Sequence, residues 1–210
     1  MSVKNIITRQ LGRELYQNVW QKMYDFTACR DLKTLDELWL LEHFPVFTQG
    51  QAGKPEHLLN PTNIPVINTD RGGQITYHGP GQLIVYPLIN LRRLNIGVKK
   101  FVNLLEQSVI NLLADYNIVA VARTDAPGVY TENKKICSIG LKISRGCSYH
   151  GIALNVDMDL KPFSQINPCG FRNLEMTQIK EFVPQVNMEE IKTKISKYII
   201  KNFDYEQNIT

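Results

Sequence analysis

Apolar positions along the chain fall into two rhythms. Leu11, Leu15, Val19, Met23 and Phe26 recur at helical spacing, which predicts a first helix from about Leu11 to Phe26. A second helix is predicted from about Val98 to Tyr116, with Phe101, Val102, Leu105, Val109, Leu112, Leu113 and Tyr116 on one face. A last helix starts at Asn187, with Glu190 in the capping-box position. Met188, Ile191, Ile195, Tyr198 and Ile199 form its apolar stripe. Lys192, Lys194, Lys197 and Lys201 read as its solvated face.

Short apolar runs between these helices predict strands. Leu38-Trp39-Leu40-Leu41 and Val46-Phe47-Thr48 are two, separated by Pro45. Residues 64–67 give another, and Leu83 to Leu91 reads as a largely buried one. Further strands are expected at 118–122, 129–130, 136–143 and 149–156. Gly50 to Pro61 is loop-like, rich in Gly, Pro and polar residues. Arg71 to Gln82 is a polar glycine-rich segment, and Asn167-Pro168-Cys169-Gly170 is a tight turn. Sequence-adjacent strands with helices before, between and after them argue for α+β, a mixed sheet flanked by helices. No proline- or serine-rich linker divides the chain, which predicts one domain over residues 1–210.

Composition narrows this picture chiefly by exclusion. The 210 residues are 43% hydrophobic and 21% charged, the balance of a globular protein able to bury a core. A net charge of +4 is spread along the chain, without the basic stripe of a nucleic-acid binder. It suits an acidic protein partner through steering. The start, Met1 to Arg9, lacks a signal peptide's apolar run, and no stretch reaches the roughly 20 apolar residues of a membrane span. A cytoplasmic protein is expected. Cys29, Cys137, Cys147 and Cys169 are then free thiols, and neither they nor the four histidines have metal-ligand spacing.

Four segments are candidates for chemistry. Five glycines and prolines surround Thr76, Tyr77 and His78 between Arg71 and Gln82, a composition that lets backbone approach a ligand closely. Taken alone this is an ordinary hairpin loop, with neither a P-loop nor a dinucleotide fingerprint. Lys134-Lys135 precede the apolar Ile136-Cys137-Ser138-Ile139-Gly140. Such lysines are usually surface charges, but one in a partly desolvated pocket is able to promote a thiolate or accept a proton. His150-Gly151-Ile152-Ala153 combines a histidine with small and apolar residues that leave room for a ligand chain. Cys169, between Pro168 and Gly170, is exposed if the turn is exposed. Exposure with a neighbouring cation makes a reactive thiolate, whereas most cysteines are small buried hydrophobes.

Together these segments resemble the bacterial lipoyl(octanoyl) transferases. The resemblance runs through Asp36–Leu40, Pro45–Lys54, Arg71–Gln82, Asp125–Tyr130, Lys135–Gly140, Arg145–Gly151 and Asn167–Gly170, in that order. It implies a fold like the catalytic domain of biotin and lipoate ligases. It implies Cys169 as nucleophile and Lys135 as the lysine that promotes the thiolate and manages protons. It also implies an acyl pocket lined by Arg71, Gly72, Gly73, Gln74, Ile75, Thr76, Tyr77, His78, Ser138, Ile139, Gly140, Gly151, Ile152 and Ala153.

The implied donor is octanoyl-acyl carrier protein. The implied acceptors are lysines on lipoyl domains of 2-oxoacid dehydrogenases and on the glycine cleavage H protein. No cofactor, metal, nucleic acid or membrane is expected. His78 is expected as a second proton acceptor, and backbone N–H groups of the glycine-rich segments as oxyanion donors. The rival readings are an ATP-dependent lipoate or biotin ligase, which shares the fold, and a non-catalytic module that binds lipoyl domains or acyl carrier protein.

Overall fold

The computed structural model describes residues 4–60, 63–172 and 174–209. Met1 to Val3 of the leading segment and Pro61 of the expected loop lie outside them. In chain order the elements are β1 (Asn5–Glu14), α1 (Tyr16–Cys29), β2 (Asp36–His43), β3 (Val46–Gln49), β4 (Val66–Asn68), β5 (Ile75–His78) and β6 (Gln82–Leu88). Then come α2 (Leu91–Leu94), α3 (Val98–Ala114), β7 (Val121–Ala122), β8 (Gly128–Thr131), β9 (Lys134–Ser144), β10 (Cys147–Asn155), α4 (Met188–Asn202) and β11 (Gln207–Ile209). The larger sheet has the order β11-β1-β2-β6-β10-β9-β8-β7. β1 runs parallel to both neighbours, while the pairs from β2 across to β7 are antiparallel. A smaller sheet places β3 between β4 and β5. The result is the α+β, helix-flanked mixed sheet that the hydrophobic pattern predicts.

Both faces of the central strands are covered, which is why their apolar runs are unbroken. On β2, Leu38 and Leu40 enter one core with Phe101, Leu105 and Val109 of α3 and Ile191, Ile195 and Ile199 of α4. Trp39 and Leu41 enter the opposite core with Val19 and Met23 of α1. β6 alternates in the same way, Leu83 and Val85 against Ile84 and Tyr86.

Several elements differ from expectation. Residues 5–14 form β1, where a helix from Leu11 is predicted. This strand is held by backbone pairing on both sides and is mostly half-buried or exposed, so it carries little alternation to read. α1 begins only at Tyr16, and Leu15 is an exposed N-cap. Ile75–His78 is a fully buried strand rather than loop. The strand expected to reach Leu91 stops at Leu88, because the Asn90 side chain accepts from the Arg92 and Arg93 N–H groups and starts α2. Only Val121–Ala122 pairs within 118–122. Asn187 caps α4 by accepting from the Glu189 and Glu190 N–H groups, while the Glu190 carboxylate accepts from the Tyr116 hydroxyl at 2.9 Å. Lys192 is not on a solvated face: it is buried, with Nζ 2.6 Å from Glu189.

Candidate active site

Cys169 sits in the turn Pro168–Gly170 with φ 57°, the left-handed region that disfavours a Cβ-bearing residue. Its neighbours hold it there. Gly170 N–H donates to Asn167 O at 2.9 Å and Phe171 N–H to Pro168 O at 3.1 Å. Lys135, at the start of β9, is 1% exposed. Its Nζ donates to Cys169 Sγ at 3.0 Å. The chain beyond the cysteine is stitched to the lysine's own backbone: Lys135 N–H donates to Glu175 O at 2.8 Å, and Thr177 N–H donates to Lys135 O at 3.0 Å. The relative position of sulfur and amine is therefore set by main chain as well as side chain.

Electrostatics match this geometry. Burial works against the Lys135 ammonium, yet the Cys169 charge and hydrogen bond, with Tyr130 beside them, outweigh it and raise the lysine pKa. Nζ also stands 5.3 Å from the Tyr130 ring centroid. The amine thus stands within hydrogen-bond reach of the sulfur, in the arrangement that activation of a cysteine nucleophile requires.

A cavity of about 440 Å³ opens beside the sulfur. It is lined by Arg71, Gly72, Gly73, Gln74, Ile75, Thr76, His78, Ser138, Ile139, Gly140, Gly151, Ile152 and Ala153, together with Lys135 and Cys169. Tyr77 is not part of it. Alternation along β5 turns Tyr77 to the other face, where its ring packs 5.5 Å from both Phe47 and Phe163. The cavity wall also includes Tyr16, Tyr86, Val98, Val102, Leu141 and Phe171, which sequence reasoning missed. Tyr16 and Val102 looked like ordinary helix residues. Asp125, Ala126, Pro127 and His150 line it as well, and they did carry a signal, since they fall within the resembling segments.

Arg71 is buried and acts as a clamp. Its Nη2 donates to Thr48 O at 2.5 Å and Gln74 O at 2.8 Å, and its Nη1 to Gly72 O at 2.8 Å. One guanidinium thus ties the glycine-rich segment to itself and to β3 by satisfying the Gly72, Gln74 and Thr48 carbonyls. Gly151 is required on packing grounds: a Cβ there would overlap Val85 O and stand 2.6 Å from Pro87 Cδ. The absent side chain serves the approach of β10 to β6, in addition to any space it leaves for a ligand.

His78 does not suit the expected proton relay. Nδ1 lies 2.8 Å from Gln82 Oε1 and Nε2 lies 3.1 Å from Thr48 Oγ1, so both ring nitrogens are engaged. Burial, with His43 and Arg71 nearby, holds its pKa well below the ordinary value. His150 is also neutral in balance, because burial outweighs Asp70, and it pairs with the Asp70 carboxylate at 2.8 Å. Burial opposes the charge of Asp70, but hydrogen bonds from His150, Tyr149 and Trp20 bring its pKa to about 2. His78 and His150 thus reach the cavity wall with their ring nitrogens already engaged. Among the expected oxyanion donors, Gly72 N–H is already committed to Leu141 O at 2.9 Å. No group of three or more His, Cys, Asp or Glu among the described residues has metal-holding geometry, and none of the described helices is long and apolar enough to cross a membrane.

The family model for the lipoyl protein ligase A/B catalytic domain matches residues 16–200. The chain belongs to this family. An octanoyltransferase of Escherichia coli O17:K52:H18 is 55% identical over 204 residues, covering 96% of each chain. An octanoyltransferase of Shewanella sediminis is 52% identical over 209 residues, covering 100% of this chain and 95% of the relative. Among solved structures, lipoate-protein ligase A bound with ATP superposes with a TM-score of 0.74 at 16% identity, covering 100% of this chain and 90% of that one. Biotin protein ligase from Aquifex aeolicus gives 0.56 at 16% identity, covering 97% of this chain and 70% of that one. At such identities the likeness concerns the fold alone.

Proposed function

We propose that this chain is an octanoyltransferase of protein lipoylation that works through a Cys169 thioester. It takes the acyl group from octanoyl-acyl carrier protein. It delivers that group to a lysine of a lipoyl domain, such as those of 2-oxoacid dehydrogenases or the glycine cleavage H protein. The observation that carries this reading is the 3.0 Å contact of Lys135 Nζ with Cys169 Sγ at the wall of the cavity. Near-full-length likeness to octanoyltransferases supports the acyl group and the reaction class.

The chemistry closes on itself. Cys169 thiolate attacks the thioester carbonyl, and the bond from that carbon to the pantetheine sulfur breaks. The departing thiolate takes a proton from Lys135. In the acyl-enzyme the sulfur is neutral, so the largest support for the Lys135 ammonium is gone and burial shifts the balance toward its neutral amine. The incoming lysine amine attacks, the bond to Cys169 breaks, and Lys135 recovers the proton that the new amide sheds. Burying the acyl chain contributes about 0.8 kcal/mol per methylene. The thioester already stores the activation, so no nucleotide is required.

The test is intact-mass spectrometry after incubation with octanoyl-acyl carrier protein. A single octanoyl adduct on the wild type, absent from Cys169→Ala and discharged by an apo lipoyl domain, is the expected result. Full transfer by Cys169→Ala, or transfer from free octanoate that requires ATP, would put a ligase mechanism in its place. Binding of either partner without any adduct would leave only a docking module.

A further inference from the structure

We propose that Glu106 is a positioning residue for Lys135: its carboxylate braces the strand that backs the lysine and adds a negative charge behind the ammonium. The inference rests on the Cys169–Lys135 reading given above. Glu106 lies on α3 beside Leu105 and Val109, residues of the main core, and is itself 6% exposed. A carboxylate facing that core is costly unless it is bonded. It accepts from Gly128 N–H at 3.0 Å.

Gly128 is the link to the lysine. Its φ is +139°, and a Cβ there would stand 2.5 Å from Lys135 Cε and 3.2 Å from Nζ. The Gly128 backbone is thus the wall against which the end of the lysine rests, and Glu106 fixes that wall from the opposite side. Burial raises the Glu106 carboxyl, against the Gly128 hydrogen bond and the charge of Lys135, so the carboxyl lies within electrostatic reach of the lysine. A tether alone would be served by glutamine, without the cost of desolvating a charge.

The groups facing Lys135 are Cys169 from the turn, Tyr130 on β8, Cys137 on β9 and Glu106 on α3, with Arg71 acting on the sulfur. The balance at the lysine is dominated by burial and by Cys169. The contribution of Glu106 is accordingly a modest one.

The experiment is the rate of Cys169 alkylation by iodoacetamide against pH, read by peptide mass in a Cys29→Ser background. It needs no acyl donor. The upper inflection of this profile marks loss of the Lys135 proton. In Glu106→Gln, which retains an acceptor for Gly128, that inflection is expected to fall by about half a unit, with the melting temperature unchanged. Glu106→Asp keeps the charge but is too short to reach Gly128. It is expected to hold the inflection and to slow octanoyl transfer several-fold. An unshifted inflection in Glu106→Gln, or an equal shift in Glu106→Asp, overturns the proposal. If the inflection persists in Lys135→Met, the cysteine–lysine pair itself is the idea that fails.

Discussion

Replacing Lys135 by methionine isolates what the buried charge does. Methionine roughly preserves the volume and removes the ammonium, so no large cavity confuses the result. The gross attraction of two unit charges at 3.0 Å is about 5.5 kcal/mol at an effective dielectric of about 20. Desolvating both ions offsets roughly half of this. The remaining 2–3 kcal/mol corresponds to a loss of about 100-fold in the rate of Cys169 acylation at pH 7. The deficit should shrink to within about 10-fold near pH 9.5, because an unassisted thiol ionises around pH 8.5. The assay is rapid-quench intact mass under single-turnover conditions, with circular dichroism to verify the fold. A Lys135→Met enzyme within about threefold of wild type at pH 7, or an equal deficit at both pH values, would refute the electrostatic role.

Three further outcomes follow from the geometry. Acid should weaken the fold well above the usual carboxylate range. Burial drops His43 to about 4, so the unfolded chain binds more protons than the native one between pH 6.5 and 4. Stability is then fully present above pH 6.5 and lost as pH falls, by about 3 kcal/mol from His43 alone; His78 and His150 act in the same sense, and urea midpoints at pH 7.5, 5.5 and 4.5 would measure it. Gly151→Ala should cost at least about 2 kcal/mol, visible as a lowered melting temperature, since its methyl overlaps Val85 O on β6. Ala153→Phe intrudes on the cavity and should favour shorter acyl donors, with about a fourfold loss in kcat/KM for each methylene excluded, read across hexanoyl and octanoyl donors.

Much of the architecture is legible in the sequence because both faces of β2, β6 and β10 are buried and their apolar runs are unmistakable. β1 was not legible, since backbone pairing rather than side-chain burial holds it in the sheet. β5 was hidden by composition: Thr76 and His78 are polar yet buried, His78 with its ring bonded to Thr48 and Gln82 and Thr76 paired opposite Thr48 of β3. In the candidate site, chemistry alone left Lys134 and Lys135 as alternatives and the family resemblance pointed to Lys135 with Cys169, but their 3.0 Å approach depends on main-chain bonds between residues 135 and 175–177, which no local pattern announces. Tyr77 was carried into the pocket with its whole segment by the resemblance, which ignores the alternation that a strand imposes. Glu106 was invisible for a different reason. In a helix it reads as one more surface acid, and only the three-dimensional path through Gly128 relates it to the lysine.

In the proposed Cys169 thioester cycle, the burial of Lys135 is what reconciles its two tasks. In the first half-reaction it must be a cation, to pair with the thiolate and protonate the leaving sulfur. In the second it must be neutral, to take a proton from the attacking amine. A solvent-exposed lysine, ionising near 10.4, would be locked in the first state at neutral pH. At 1% exposure the amine instead depends on its neighbours for its charge. While Cys169 is anionic, the nearby sulfur favours the ammonium. Once the sulfur is tied up in a thioester, that support disappears and desolvation prevails. Glu106 then sets how far the balance swings, since a carboxylate that held the ammonium too firmly would stall the second step. A modest, partly removed charge behind Gly128 is what such a cycle needs, in contrast to a direct salt bridge to the amine.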